Sequence, residues 1–309
     1  MTNKIMGLSC GRKNGNSEFL LKAAAMGAAE LGVNTEIIRA FDLDIKPCIN
    51  CQACVREFRQ GKEVRCVQKD DVDWILQKTV VEDCGLILSG PIYHLRWNSI
   101  FAAINDRMNA TAMRHPEVLK KTRVGAIISV GGAGPDWTNL GLLMANPFLQ
   151  HTRKLVDQIQ INDAPVINSV LCEHHVKSLE RAKQLGRNVA KAMMMPIEDV
   201  KYLGEQSEFA CPVCHCNILQ VPEKLPEVVC PICWVHGILN SDGKEFKIIW
   251  NFEEAKHPRF SEYGIGEHGK YIQNLAHIEE KELKAERVRL LQKEYREYGD
   301  IIRPYKNDA

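Results

Sequence analysis

Four cysteines fall within nineteen residues of this chain: Cys48, Cys51 and Cys54 in a Cys-x2-Cys-x2-Cys run, then Cys66 after a charged insertion, with Asp70-Asp71 following. Three thiols at three-residue intervals can wrap one corner of a cuboidal iron–sulfur cluster, the fourth iron being ligated from further along the chain. Zinc sites more often take cysteines as two separated pairs, so the triplet leans towards a 4Fe–4S cluster. The competing reading is thiols packed as small hydrophobes. It suits poorly a loop that also carries Arg56, Arg59, Lys62 and Arg65.

A second constellation has different spacing. Cys211-Pro-Val-Cys214 and Cys230-Pro-Ile-Cys233 are two Cys-x2-Cys knuckles separated by 15 residues. That is the pattern of a tetrahedral four-sulfur site of the zinc-ribbon or rubredoxin type. A segment this small has little core without its metal. His215, Cys216 and His236 stand close by and read as supporting or surface groups rather than ligands. Spacing alone admits zinc or iron. Rubredoxin knuckles usually place Gly after the second cysteine, whereas this chain has His215 and Trp234, which favours zinc. Iron would make the segment a further redox centre.

Between the first strand and the first helix lies Ser9-Cys-Gly-Arg-Lys-Asn-Gly-Asn-Ser17. Such a turn gathers backbone N–H groups and the positive end of a helix dipole at one point, which suits a phosphate. Arg12 adds charge, and Asn14, Asn16 and Ser17 add donors. The turn is neither Gly-x-Gly-x-x-Gly nor a Walker loop. Two further loops follow strands: Pro91-Ile92-Tyr93-His94, and Gly131-Gly132-Ala-Gly134-Pro-Asp136. Their glycines allow a planar ring to approach the backbone, and Tyr93 offers an aromatic face or a hydroxyl.

These residues need a scaffold that brings strand ends together. Lys4–Ser9, Cys84–Gly90 and Val124–Val130 are apolar runs without alternation, as in a parallel sheet covered on both faces. Strand character is also expected over Asn34–Ala40 and near Gln158–Ile161. Helices are expected from near Ser17 to Leu31, from Asp70 or Asp71 through Trp74, Ile75 and Leu76, over Asn98–Met108, from about Thr138 to Lys154, and over His175–Met194. Alternating strand and helix predicts an α/β domain over residues 1–195, a doubly wound five-stranded parallel sheet of order 2-1-3-4-5. The three loops then meet at the carboxyl edge. The cysteine loop 47–71 is an insertion in this domain. A ribbon-like β segment follows over 205–251, and a charged, partly helical extension over 252–309. Within that extension, Ala276–Tyr298 interleaves Glu with Lys and Arg around a sparse apolar stripe. It reads as a solvated helix packed on its own domain or as an arm embracing another subunit.

The chain has 309 residues, 45% hydrophobic and 26% charged, with a net charge of +1. No polybasic surface argues for nucleic acid, and no apolar run approaches a membrane span. Met1-Thr-Asn-Lys-Ile runs straight into a strand-like segment, so no signal peptide is expected. Nine of the twelve cysteines are clustered, which reads as metal binding in a reducing cytoplasm rather than as a disulfide framework.

The first 195 residues or so resemble the flavodoxin-like NAD(P)H-dependent FMN reductases, and among them the iron–sulfur flavoproteins. The resemblance rests on Arg12-Lys-Asn-Gly-Asn-Ser17, on Cys48, Cys51, Cys54 and Cys66 followed by Asp70-Asp71, on Gly90-Pro-Ile-Tyr93, on Asp106-Arg107 and on Gly131-Gly132. It implies that Arg12–Ser17 hold the FMN phosphate and that Pro91–His94 and Gly131–Gly134 flank the isoalloxazine. It also implies a 4Fe–4S cluster on the cysteine loop and a homodimer or homotetramer. The chain departs from the family at Cys10, where Ser is common, at Arg96-Trp97-Asn98, where small residues are usual, and in the longer gap from Cys54 to Cys66. The expected function is electron transfer through FMN and the cluster between NAD(P)H or ferredoxin and an acceptor. Tyr93, His94 and Trp97 are candidates for substrate contact. Alternatives are an NAD(P)H-dependent reductase of a quinone or small aromatic compound with structural cysteines, and a flavin-based redox-sensing interaction protein.

Overall fold

Strands β1 (Lys4–Ser9), β3 (Gly85–Tyr93) and β5 (Val124–Val130) are buried along nearly their whole length, as interior strands covered on both faces must be. In this computed structural model, which describes residues 3–223 and 226–297, they pair in parallel with β2 (Asn34–Arg39) and β6 (Lys154–Ile161). The order is β2-β1-β3-β5-β6, the doubly wound arrangement expected from the sequence. One register row crosses all five strands as Ile38, Leu8, Leu88, Ile127 and Gln158. The sequence reading omitted β4 (Arg96–Trp97), which turns back antiparallel on β3 and pairs Arg96 with Tyr93.

Alternate residues of the strands serve two cores. On one face, α1 (Asn16–Ala29) and α7 (Val176–Met193) pack Leu20, Leu21, Leu185 and Val189 on Ile5, Ile87, Ala126 and Ile128. On the other, α3 (Val72–Leu76), α4 (Ser99–Asn105) and α6 (Gly141–Thr152) set Ile75, Phe101, Ile104 and Phe148 on Met6, Leu8, Leu86 and Leu88. Two short helices, α2 (Ala53–Arg59) and α5 (Met108–Arg114), flank the cysteine loop. The helix expected over Asn98–Met108 is therefore two helices, broken at Asp106-Arg107.

A second sheet joins β7 (Glu227–Val229), β8 (His236–Ser241) and β9 (Phe246–Trp250) antiparallel in that order. Its core is the four knuckle cysteines with Val228, Ile232, Ile248 and Trp250, against which Leu143 of α6 packs. Gln158 of β6 fastens it to the parallel sheet by donating to the carbonyls of Cys214 at 3.0 Å and His215 at 3.1 Å. Helix α8 (Phe252–Ala255) is capped by Asn251, whose side chain accepts from the Glu253 and Glu254 N–H groups. Residues 1–262 form one compact unit and 263–309 a second. The second contains most of α9 (Glu262–Glu282) and all of α10 (Glu286–Glu297), with the interleaved charges read from the sequence. Tyr298, the last residue of that charged stretch, lies outside the described residues.

Candidate functional site

Because the five strands run parallel, the loops after β1, β3, β5 and β6 meet at one edge of the sheet. There they enclose a cavity of about 270 Å³. Arg12, Asn16, Ser17, Pro91, Ile92, Tyr93 and Gly132 line it, as do Gly11, Gly15, Val130, Ala164, Pro165 and Val166. Helix α1 begins here behind Gly15 with no side-chain cap on its first N–H groups, which leaves them for an anion. Arg12 is exposed at the rim and has no acidic partner among the described residues. An uncapped helix start, a free guanidinium and apolar walls from Ile92, Val130 and Val166 together fit a phosphate with a planar ring beside it, as FMN presents.

The other expected contacts fall elsewhere. Asn14, His94, Gly131 and Gly134 do not line the cavity. Asn14 has a φ of 54° and its N–H donates to Glu18 Oε2 at 3.0 Å. Asn16 reaches the cavity, but its carboxamide ties the loop after β6 across the turn, donating to Ala164 O at 3.1 Å and Val166 O at 2.9 Å. Cys10 is fully buried in the core and leaves no thiol at the phosphate position. Trp97 is a correction: at 1% exposure it meets no substrate. Its indole packs edge-on to Phe101 at 4.6 Å and donates to Ser129 Oγ at 2.8 Å. A Cβ on Gly90 would come within 2.4 Å of that ring. Asn98 caps α4 and donates to Cys10 O at 2.6 Å. Tyr93, by contrast, is 54% exposed beside the cavity. The residues missed from sequence, Ala164, Pro165 and Val166, follow the fifth parallel strand, and the carboxyl-edge rule would have found them had it been applied to that strand too.

Electrostatics at the turn are set by Glu18, a fully buried carboxylate in the first turn of α1. Burial pushes its pKa up, but Arg39, Lys22 and the Asn14 N–H outweigh that and bring it down to about 2. The Arg39 fork grips it through two 3.0 Å bonds. The carboxylate is thereby neutralised and does not oppose an anion at the turn.

The cysteine loop is closed at its base. Asp44 and Asp71 exchange bonds, Asp44 N–H to Asp71 Oδ2 at 2.8 Å and Asp71 N–H to Asp44 O at 2.9 Å. Lys46 N–H donates to Asp70 Oδ2 at 2.8 Å, and Gln68 Nε2 to Pro47 O at 3.0 Å. Asn50 and Gln52 take left-handed φ values of 50° and 57°, which folds the Cys48–Cys54 run back on itself. The Asn50 N–H points at Cys48 Sγ at 3.4 Å, the kind of bond that supports a metal-bound thiolate. Cys48 and Cys51 are exposed, Cys54 and Cys66 half-buried. Burial pushes the Cys54 thiol up, backbone N–H groups oppose this, and the neighbouring Cys66 and Cys48 charges add to the rise. Among the described residues, these four do not gather their ligand atoms within 4.8 Å as the ribbon thiols do. A cubane sets each sulfur on a separate iron and needs wider spacing than a single ion, so what fits a cluster here is the donor set itself, four unbridged thiols on a run folded back at Asn50 and Gln52.

The ribbon thiols Cys211, Cys214, Cys230 and Cys233 are buried, with all four sulfurs within 4.8 Å of one another. Cys214 Sγ and Cys230 Sγ are 3.5 Å apart, close to the roughly 3.8 Å edge of a tetrahedron with Zn–S bonds of about 2.3 Å. The knuckles are built alike. His215 N–H donates to Cys211 O and Trp234 N–H to Cys230 O, both at 2.9 Å. His215 and Trp234 hold positive φ, 53° and 61°, where glycine is easier. Stacking offsets that strain: the His215 ring lies 3.6 Å from Tyr202, and the Arg259 guanidinium 4.8 Å from Trp234. His236 is held by Glu254 at 2.8 Å and is no ligand.

Comparison with known proteins agrees with this geometry. Residues 3–169 match the model of the NADPH-dependent FMN reductase family. An iron–sulfur flavoprotein of Methanocaldococcus jannaschii is 29% identical over 204 residues, 62% of this chain and 98% of the relative. One from Archaeoglobus fulgidus is 26% identical over 197 residues, covering 64% and 80%. Among solved structures, a flavone reductase superposes with a TM-score of 0.75 at 25% identity, covering 98% of this chain and all of its own. With a doubly wound sheet, an uncapped strand-to-helix turn and a family match over more than half its length, the chain belongs to the NADPH-dependent FMN reductase family.

Proposed function

We propose that this FMN-dependent oxidoreductase moves electrons between NAD(P)H or ferredoxin and an acceptor, using FMN and a 4Fe–4S cluster on the Cys48–Cys66 loop. The observation that carries the reading is the pairing of the uncapped turn at Gly11–Ser17 with a cysteine loop whose ends are closed by Asp70 and Asp71. FMN supplies the exchange between electron pairs and single electrons, and the cluster supplies one-electron carriage. The N–H groups at the start of α1 and Arg12 would hold the phosphate. Pro91, Ile92 and Gly132 would face the ring, and Tyr93 would bound its open side. Cys48, Cys51, Cys54 and Cys66 would ligate the cluster, and Cys211, Cys214, Cys230 and Cys233 a zinc ion that holds the ribbon in shape. The test is iron, acid-labile sulfide, zinc and FMN content of anaerobically purified protein. The expected result is about four irons, four sulfides, one zinc and one FMN per chain. FMN and zinc without sulfide would remove the cluster from the mechanism.

A second reading concerns the acceptor. The superposition on a flavone reductase takes in the ribbon and tail as well as the flavin domain. The exposed Tyr93 and Val166 border the cavity with apolar surface. Both favour a planar aromatic acceptor. Stopped-flow reoxidation of the anaerobically reduced protein by a flavone should be saturable. Reoxidation by one-electron acceptors alone would exclude it.

A further inference from the structure

Arg107 interrupts what the sequence reads as one helix, and its side chain is 1% exposed. Nη1 donates to Asp70 Oδ2 and, at 3.4 Å, to Lys46 O. Those partners are the two ends of the cysteine loop, so one guanidinium nitrogen clamps its base. Nε and Nη2 are buried with no acceptor among the described residues. Asp73 Oδ1, 3.9 Å from Nη2, is too far to serve. A buried guanidinium with two unmet donors is costly, and such a group in a native structure asks for a reason. Burial works against its charge, but the bond to Asp70 and the acidic groups around it more than restore it, so its pKa stands above the ordinary arginine value. Cys66 stands four residues before Asp70 on the loop that Arg107 clamps.

We propose that Arg107 is a positioning residue of the iron–sulfur centre, its Nε and Nη2 donating to the Cys66 thiolate or an adjacent cluster sulfide. The inference rests on the cluster reading above. Hydrogen bonds and positive charge at cluster sulfurs favour the reduced, more negative state, so Arg107 raises the reduction potential. Asp70 keeps the guanidinium charged and aimed while Lys46 and Asp70 hold the loop to it. A purely structural clamp would use Nη1 alone and leave the potential untouched.

The test compares wild type with R107Q and R107K, purified anaerobically, by iron, sulfide and FMN content and by dithionite titration followed by EPR of the reduced cluster. In R107Q the reduction equilibrium should fall at least tenfold, 59 mV for one electron. R107K, which keeps the charge but loses the fork, should recover part of the shift. A variant that keeps FMN but loses sulfide reports the Nη1 clamp on the loop base, and the potential of the other variant then decides. If R107Q fails to fold, R107K alone decides, since its expected potential still lies below that of wild type. Wild type carrying a cluster, with both variants within threefold of its equilibrium, overturns the inference. Wild type without sulfide overturns the cluster reading itself and this inference with it.

Discussion

Glu18 places a carboxylate against the turn that opens α1, where its Oε2 accepts from the Asn14 N–H, without leaving that turn a net negative charge. Its charge is matched by Arg39 and Lys22, and its pKa is depressed to about 2 from an ordinary value near 4.5. A depressed carboxylate stabilises the fold above its unfolded pKa, and that contribution is lost as pH falls through the folded value. Between pH 4.5 and 2, wild type should therefore lose on the order of 3 kcal/mol that E18Q never had. Thermal melts of both proteins across that window check it; parallel curves would show that Glu18 is not coupled to folding. Arg12 makes the complementary case, as a cation at the cavity with no acidic partner among the described residues. R12A should weaken FMN binding about tenfold, as loss of one exposed charge-assisted bond does, and fluorescence titration of the apoprotein with FMN reads it. Riboflavin, which lacks the phosphate, should bind both proteins alike.

Helices α1 and α7 approach more closely than side chains allow. A Cβ on Gly27 would lie 2.0 Å from Lys183 O, and one on Gly186 1.8 Å from Ala24 O. Both obstacles are backbone, which cannot rotate aside, so G186A should cost about 3 kcal/mol or more. Denaturant titration should show the midpoint falling, whereas an exposed helix Gly→Ala stabilises. These glycines are invisible as contacts in the sequence, where each reads as a weak helix residue. The parallel strands were legible because apolar runs buried on both faces need no alternation. The start of β6 was not, since Asp157 sits in it fully buried, balanced by Arg181 and by Asn188 Nδ2 at 2.8 Å. A paired charge inside a strand looks polar in sequence and is core in the fold. Trp97 misled for the converse reason: it follows a candidate flavin loop, but the hairpin through His94 and Leu95, both at positive φ, turns it inward. Cysteine spacing made the four gathered ribbon thiols legible, because ligand geometry must be written into spacing. Arg107 could not be assigned a role from spacing, since its partners lie 37 and 61 residues away.

Across the larger compact unit, the cavity is lined only by residues between Gly11 and Val166, while the ribbon reaches the parallel sheet chiefly through α6 and β6. Gln158 donates to two knuckle carbonyls, and Cys233 Sγ lies 3.7 Å from Gln150 Oε1. The ribbon's own apolar core is small, and four of its buried side chains are the thiols themselves. A structural zinc held by the four thiolates would supply about 10–16 kcal/mol of folding free energy at pH 7, as much as all the buried apolar side chains of this core together at about 1.5–3 kcal/mol each. Removing it with a thiol-reactive mercurial and a chelator, under conditions that spare FMN, should therefore unfold the ribbon first. Calorimetry should then show an added low-temperature transition while flavin fluorescence stays quenched, because no cavity residue belongs to the ribbon. The Gln158 amide would be left facing water, so Q158A should matter in the metal-loaded protein and hardly at all after stripping. Flavin release at the same temperature as ribbon melting would mean that β6 transmits the loss to the loop at Ala164–Val166, and that the ribbon is part of the flavin site's support.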